Sequence, residues 1–600
     1  MAETELKARK DMDPSDQWDF SHIFKDRAAF EAAYKDAEAA VEQIAAVPGT
    51  LCASADAMAK GLGTVYKAAQ KVERVYLYAM LHQSGDNGDP DYQEMSGRAT
   101  NLYVAFGTAA SFVEPEILEC DEQTLLGYLE APNLKTYSHM IHSILRSRSH
   151  MLPKEQEKML AMLSDVSGNC SNVFDMLESV DMTFPTVQDE NGQDVTLTHG
   201  NFGVYRESRD VRVRREAFEK YFGTFRQFIH TFAALYAGSV KTDAYFSRVR
   251  GFKDPCEAAL FASNVPVSVY DSLITAVHNG LGTMKKYLEI RKKALQLEEL
   301  HMYDLYCPIV EDVEIDMPLA EAEKLVKKAT EPLGEVYQQL LDRAYRERWL
   351  DVYENKGKST GAFSCGVFGV HPYVMLNYTD TLDDAFTLAH ELGHAMHSYF
   401  SDTTQDFVNH DYRILVGEVA STVNEVLLTK YLLRTETDKK RRAYILNHFL
   451  EGFRTTIFRQ TLFAEFEREA HDMYMAGTPL TAQSLNALYR RLNEQYYEGA
   501  VIDELQDIEW ARIPHFYNAF YVYQYATGFS SAVAIASRIL ETGDASDYLR
   551  FLSTGGSNYP MEELKIAGVD LSKPDTVENA MKVFADALTE FDQLLYELSK

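Results

Sequence analysis

No apolar run in this sequence is long enough to span a membrane, which argues against an integral helical membrane protein. The first residues, Met-Ala-Glu-Thr-Glu-Leu-Lys, lack the apolar stretch of a secretory leader. No two of the six cysteines, at 52, 120, 170, 256, 307 and 365, stand close enough for a CxxC pair. In a chain this long they read as free thiols of a reducing compartment. Basic charge is scarce: 59 Lys and Arg face 90 Asp and Glu, a formal net charge of −31. Nucleic acid and anionic membrane surfaces are polyanions, so neither is expected as a partner. The plain reading of the acidity is solubility. Internal repeats and low-complexity tracts are missing too. These absences together predict a soluble cytoplasmic protein.

What is present is bulk and helical periodicity. The chain has 600 residues and 46% hydrophobic content, more than one compact core usually holds, so two or more lobes are expected. Residues 25–180 repeat apolar positions at i, i+3 and i+4 with few prolines. Their tyrosines and phenylalanines read as core. The pattern breaks at 182–203, where extended runs around Thr183–Val187 and Val195–Thr198 flank Asp189-Glu190-Asn191-Gly192. Asn-Gly is a strong hairpin signal. The break divides an N-terminal helical region, 1–181, from a second region, 182–600. A further extended patch runs from Gly361 to Tyr378, with glycines at 361, 366 and 369 and the apolar run Tyr373-Val374-Met375-Leu376. It reads as two short strands joined by a glycine-rich turn. From Thr381 onward the pattern is helical again.

Thr381-Leu382-Asp383-Asp384 predicts a helix start, with Thr381 as N-cap, Asp384 closing a weaker capping box and two carboxylates suiting the helix dipole. The helix should run to about Phe400. It carries His390-Glu391-Leu392-Gly393-His394. Histidines four apart leave one face of a helix, whereas Leu388, Leu392, Ala395 and Tyr399 form a separate packing stripe. Two imidazoles so placed can hold one zinc ion, and Glu391 can reach a water activated there without being a ligand. Random placement of the 17 His and 90 acidic residues would produce His-acid-x-x-His roughly 0.07 times. Two ordinary helix histidines are therefore the weaker explanation.

A catalytic zinc takes three protein ligands. The metzincin extension needs Gly at 397 and His at 400, and the sequence has His397 and Phe400. The thermolysin spacing would need an acid where Ile414 stands. The next acid is Glu418, on a helical stripe with Val419, Val423, Val426 and Leu427. Glu418 is the expected third ligand. Glu425, seven residues on and on the same face, is expected to orient a ligand histidine. His397 either faces the same cavity or lies on the helix surface. The zinc site thus spans 381–427.

The run from Phe386 through His390-Glu391-Leu392-Gly393-His394 to Ser398 resembles the oligoendopeptidase F branch of the thimet-oligopeptidase-like metallopeptidases. Glu418-Val419-Ala420-Ser421-Thr422-Val423-Asn424-Glu425 resembles that family's second zinc motif. Arg248–Phe252, Tyr303-Asp304-Leu305-Tyr306, Gly361–Ser364 and Phe520–Gly528 match in order, so the resemblance covers about 180–590 well and the N-terminal helices more loosely. It implies a mainly α fold, two helical lobes around a deep channel, and a small antiparallel sheet beside the zinc helix. It also implies short unstructured peptides as substrates, cut internally. The strand at Tyr373–Tyr378 would present its edge to an extended peptide, with Gly361 allowing close approach. Transition-state donors would come from the segment Pro514–Tyr525. His515 and Tyr523 are the expected pair, with Tyr517, Tyr521 and Tyr525 as competitors. Two other functions are weighed against the zinc endopeptidase. A metallocarboxypeptidase would need a base such as Arg512 to close its channel, and a helical peptide-binding protein without catalysis would need no zinc.

Overall fold

Helices dominate the computed structural model, which describes residues 6–310, 313 and 315–600. The chain groups into two units, each assembled from three segments. One comprises Met1–Ser149, Glu314–Tyr431 and Ile535–Val569. The other comprises His150–Val313, Leu432–Ala534 and Asp570–Lys600. No described helix is long and apolar enough to cross a membrane.

The first unit opens with α1 (Arg27–Ile44), α2 (Ala55–Gly85) and α3 (Pro90–Ala110). Each starts where an oxygen-bearing side chain accepts first-turn N–H groups: Asp26, Ser54 and Asp89 respectively. Their inward faces bury Phe30, Tyr34, Val72, Tyr78 and Met95 in one cluster with Trp18, Tyr373 and Met375. The aromatic residues here are therefore core, as their spacing predicts. A neighbouring cluster, around Leu51, Met58, Leu62, Ile117 and Leu125, contains a disulfide between Cys52 and Cys120. This corrects the expectation of six free thiols. Cys170, Cys256, Cys307 and Cys365 are free.

The second unit carries the hairpin expected at 182–203: β1 (Thr186–Gln188) pairs antiparallel with β2 (Asp194–Thr196), Val187 opposite Val195. Asp189 Oδ1 accepts from the N–H groups of Asn191 and Gln193, both at 2.8 Å, and Gly192 takes a φ of 77°, a left-handed conformation that suits glycine. Helix resumes at once, at His199.

The first unit also holds a three-stranded sheet of β3 (Leu350–Asp351), β4 (Phe363–Cys365) and β5 (Tyr373–Met375) in the order β3-β5-β4. β4 and β5 are antiparallel, with Ser364 opposite Val374, as the glycine-rich turn predicts. β3 adds to the other side of β5 in parallel, which makes the sheet mixed. β5 is therefore central and fully buried, and β4 is an edge. Two helices complete the frame of the site: α4 (Leu382–Thr404), which packs on β4 and β5, and α5 (Ile414–Thr435).

Candidate metal centre

The capping box expected at Thr381 is present. Asp384 N–H donates to Thr381 Oγ1 at 3.2 Å, and Asp384 Oδ2 accepts from Thr381 N–H at 3.0 Å. α4 runs four residues past Phe400, to Thr404. Its packing stripe is as expected, with Leu388, Leu392 and Ala395 fully buried, while His390 and His394 stay partly open. Tyr399 is half-buried over Trp349, and its hydroxyl accepts from Arg343 Nη1 at 2.7 Å.

α5 meets α4 at Gly393. A Cβ there would lie 2.5 Å from Ser421 Cα and 2.6 Å from Ala420 O, so only glycine allows this backbone approach. Asn424, fully buried, fastens the pair: its Nδ2 donates to Ala389 O at 2.9 Å, and its Oδ1 accepts from the Tyr337 hydroxyl at 3.0 Å. Val416, Val419, Ala420 and Val423 are buried on the inner side of α5. Glu418 and Glu425 are thereby left facing the two histidines.

His390 Nε2 and His394 Nε2 lie 3.2 Å apart, and each is 3.4 Å from Glu418 Oε2. A regular tetrahedron with bonds of about 2.05 Å has edges of about 3.3 Å, the bond length being that usual for zinc with nitrogen and oxygen. The three donor atoms thus outline one face of a zinc-sized tetrahedron, and the donor set of two imidazoles and a carboxylate suits that ion. Among the described residues this is the one group of three or more His, Cys, Asp or Glu able to hold a metal. Hydrogen bonds from His390, then His394, hold the Glu418 carboxyl well below its usual range. Ser421 Oγ, 3.3 Å from Glu418 Oε2, steadies the carboxylate from the next turn.

Glu425 sits where the spacing puts it: its Oε1 is 2.5 Å from His390 Nδ1. Glu391 is buried at 7% exposure, and that burial pushes its carboxyl up. His397 goes elsewhere. It is 1% exposed, stacked flat on Tyr412 at 3.7 Å, with neither ring nitrogen hydrogen-bonded. It therefore orients no ligand, and burial, with the neighbouring His394 adding to it, drives its pKa down to about 3.

The other expected site residues divide. Tyr373 is fully buried, its hydroxyl on Asp19 O at 3.0 Å, so it is a core residue and not a substrate contact. The strand expected to offer an edge, β5, is paired on both sides, and the edge belongs to β4. Gly361 lies just ahead of β4 at a φ of 79°, with open space where a Cβ would stand. In the second unit, His515 is exposed and its Nε2 lies 3.3 Å from the Tyr525 hydroxyl. Tyr521 joins this pair, its ring centroid 5.5 Å from that of Tyr525. Tyr523 does not. It is 3% exposed, packed against Tyr270, and cannot face a substrate from there. Tyr517 is half-buried against Phe174. Arg512 lies over the ring of Tyr221 at 5.6 Å.

Gly393, Ser421 and Asn424 are contributions that motif reading passes over. Their signal is a glycine and an asparagine in helix interiors, where both residues are disfavoured.

Known proteins carry the same sequence features. The family described as Peptidase family M3 matches residues 204–583, and the family described as Oligopeptidase F matches 116–184. The Oligopeptidase PepF of Bacillus subtilis is 41% identical over 99% of this chain and 90% of its own length. The crystal structure of oligoendopeptidase-F from Enterococcus faecium is 36% identical, with a TM-score of 0.73 over 95% of this chain and 99% of its own. A solved Chlamydophila abortus structure is 32% identical, with a TM-score of 0.92 over 98% of this chain and all of its own.

Proposed function

The chain belongs to peptidase family M3 and is a metalloendopeptidase, and from that premise we propose that it cuts internal bonds of short unstructured peptides using one zinc ion held by His390, His394 and Glu418. The observation that carries this reading is the triangle of donor atoms with edges of 3.2, 3.4 and 3.4 Å. When bound there, zinc supplies a Lewis acid for the scissile carbonyl and lowers the pKa of the attacking water.

The chain's own groups do the rest. Glu391 takes the proton of the attacking water and passes it to the leaving nitrogen. Glu425 accepts the Nδ1 proton of His390, which leaves the Nε2 lone pair free toward the metal. An extended peptide adds to the open edge of β4 through main-chain hydrogen bonds, which depend little on the peptide's sequence. Gly361 keeps that approach clear. The developing oxyanion needs donors besides the metal, and within their own segment His515, Tyr525 and Tyr521 are the candidates for that role in place of the buried Tyr523.

Two measurements test this. An internally quenched peptide blocked at both ends should be cut in its interior, which a carboxypeptidase cannot do. Glu391→Gln should keep about one zinc per chain and the wild-type melting temperature while losing at least about 100-fold in rate. Activity surviving that substitution would remove Glu391 as the base. Full activity in zinc-free protein would remove the metal.

A further inference from the structure

The run Tyr303-Asp304-Leu305-Tyr306 has no part in the site above, yet it leads to a cluster of charged groups inside the second unit. Asp304 is buried on Arg214, Oδ1 to Nε at 2.6 Å. Two residues on, the ring of Tyr306 carries two guanidinium groups: Arg206 Cζ lies 3.3 Å from the ring centroid and Arg454 Cζ 4.5 Å. Beside them is a small cavity, lined by Arg206, Arg454, Arg459, Tyr306, Gln506 and Glu509 among others. It has room for about one water-sized sphere, some 10 Å³.

The charges around it do not balance. Glu509 accepts from Arg459 Nη2 at 2.7 Å, from the Tyr489 hydroxyl at 2.6 Å and from Gln506 Nε2 at 2.6 Å. Glu451 accepts from Arg291 Nη2 at 2.7 Å and from Arg454 Nε and Nη2 at 3.0 and 2.6 Å. Each carboxylate is fully engaged. Four guanidinium groups, Arg206, Arg291, Arg454 and Arg459, thus share two carboxylates. Arg206 has no carboxylate within ion-pair distance among the described residues, and its buried Nε has no hydrogen-bond partner. Arg454 is 1% exposed, and the one nitrogen that Glu451 does not engage, Nη1, is also unpartnered. Arg206 is half-buried, so part of its guanidinium meets solvent, but N–H groups held in the interior without an acceptor remain costly. A water molecule in the cavity would accept hydrogen bonds but leave the excess charge in place. A phosphate or carboxylate is far larger than one water-sized space, whereas a monatomic anion is only somewhat wider than water and needs just a small outward shift of the lining side chains.

We propose that this cavity is an anion site that takes a single halide ion, of chloride or bromide size, between Arg206 and Arg454. The ion accepts the two orphaned N–H groups as charge-assisted hydrogen bonds and offsets one unit of the positive charge gathered there. It is then a structural ligand, binding the folded state alone and stabilising it by mass action. The competing source of negative charge is the Tyr306 phenol itself, which the guanidinium groups of Arg459, Arg206 and Arg454 pull down to about 8 against the opposing effect of burial.

The test uses the full chain. Crystals soaked in sodium bromide should show an anomalous peak in this cavity, within hydrogen-bond reach of Arg454 Nη1. The melting temperature should be several degrees higher in sodium chloride than in sodium gluconate at equal ionic strength, since gluconate cannot enter. Tyr306→Phe should keep that chloride response, and Arg454→Gln should lose it. Should Arg454→Gln not fold, the bromide map of the wild-type protein stands by itself. An empty or water-filled cavity in bromide, with equal melting in the two salts, overturns the proposal. So does a phenolate absorbance, removed by Tyr306→Phe, in a protein whose melting ignores chloride, because Tyr306 is then the counter-charge.

Discussion

Gly393→Ala is the sharpest probe of how the metal centre is built. In an exposed helix interior this exchange would stabilise by about 1 kcal/mol, because alanine is the better helix former. Here the added Cβ would lie 2.5 Å from Ser421 Cα, 2.6 Å from Ala420 O and 2.8 Å from Ser421 N. All three are main-chain atoms, which cannot rotate away. Carbon atoms settle at about 3.5–4.0 Å, so α5 must retreat from α4 by about 1 Å. Overpacking of this kind costs roughly 1–3 kcal/mol, which outweighs the helix gain and leaves a net loss of about 0–2 kcal/mol. The larger effect is local. Glu418 rides on α5 and the histidines on α4, so the triangle of donors opens by a similar distance. A misplacement of about 1 Å is enough to lose about 100-fold in rate. Zinc affinity measured by chelator competition should fall, and kcat/KM should fall by about two orders of magnitude, while circular dichroism and melting report a folded protein. Wild-type zinc affinity and wild-type rate in Gly393→Ala would refute the reasoning, for the helix contact would then not govern the ligand geometry.

Glu425→Gln removes the charge that holds His390 Nδ1 but keeps the shape, so zinc affinity should fall by about 10–100-fold with little change in melting. A chelator titration indistinguishable from wild type would rule out that role for Glu425. Glu563 is fully buried with Oε2 unpartnered, and burial pushes its carboxyl up to about 8 from an ordinary 4.5. The folded state therefore keeps a proton that the unfolded chain has released, and this stabilisation, complete below the unfolded value, disappears as pH rises through about 8. Wild-type protein should lose up to about 1.4 kcal/mol per pH unit from this group across that window, whereas Glu563→Gln should not, and parallel slopes for the two proteins would count against it. Reducing the Cys52–Cys120 bridge, which joins residues 68 apart, should lower stability by roughly 2–4 kcal/mol, and Cys52→Ala should melt alike with and without reductant. Thiol labelling that finds both cysteines free in unreduced protein would deny the bridge.

The parts of the fold and site that sequence makes legible are those coded within one helix or by one spacing. Thr381 and Asp384 announce a helix start because the capping box is local. His390 and His394 converge because helical geometry leaves them no other choice. Glu418 follows once the metzincin and thermolysin spacings fail. Local arithmetic stops at Phe520, whose φ of 59° is a left-handed conformation inside the aromatic segment. The short helix Pro514–Tyr517 ends before it and the next begins at Tyr523, so faces cannot be carried across by counting. That is why Tyr523 is buried while His515 and Tyr525 meet. His397 escapes for another reason: Tyr412, from the loop ahead of α5, covers it. The order of the sheet depends on β3, two residues long and without any pattern of its own. The pairing of Cys52 with Cys120 likewise has no local sign.

The interleaving of the two units has a consequence for how the chain is made. Trp18 and Tyr373 stand with ring centroids 6.1 Å apart in one core cluster, and 355 residues separate them along the chain. At roughly 5–20 residues per second, a ribosome takes about 20–70 s to travel that distance. During that time the apolar faces of α1 to α3 have emerged but the strand that completes their core has not. The nascent N-terminal helices must wait with that surface uncovered, so the time for which the core stands incomplete is set by translation and not by the speed of any single helix.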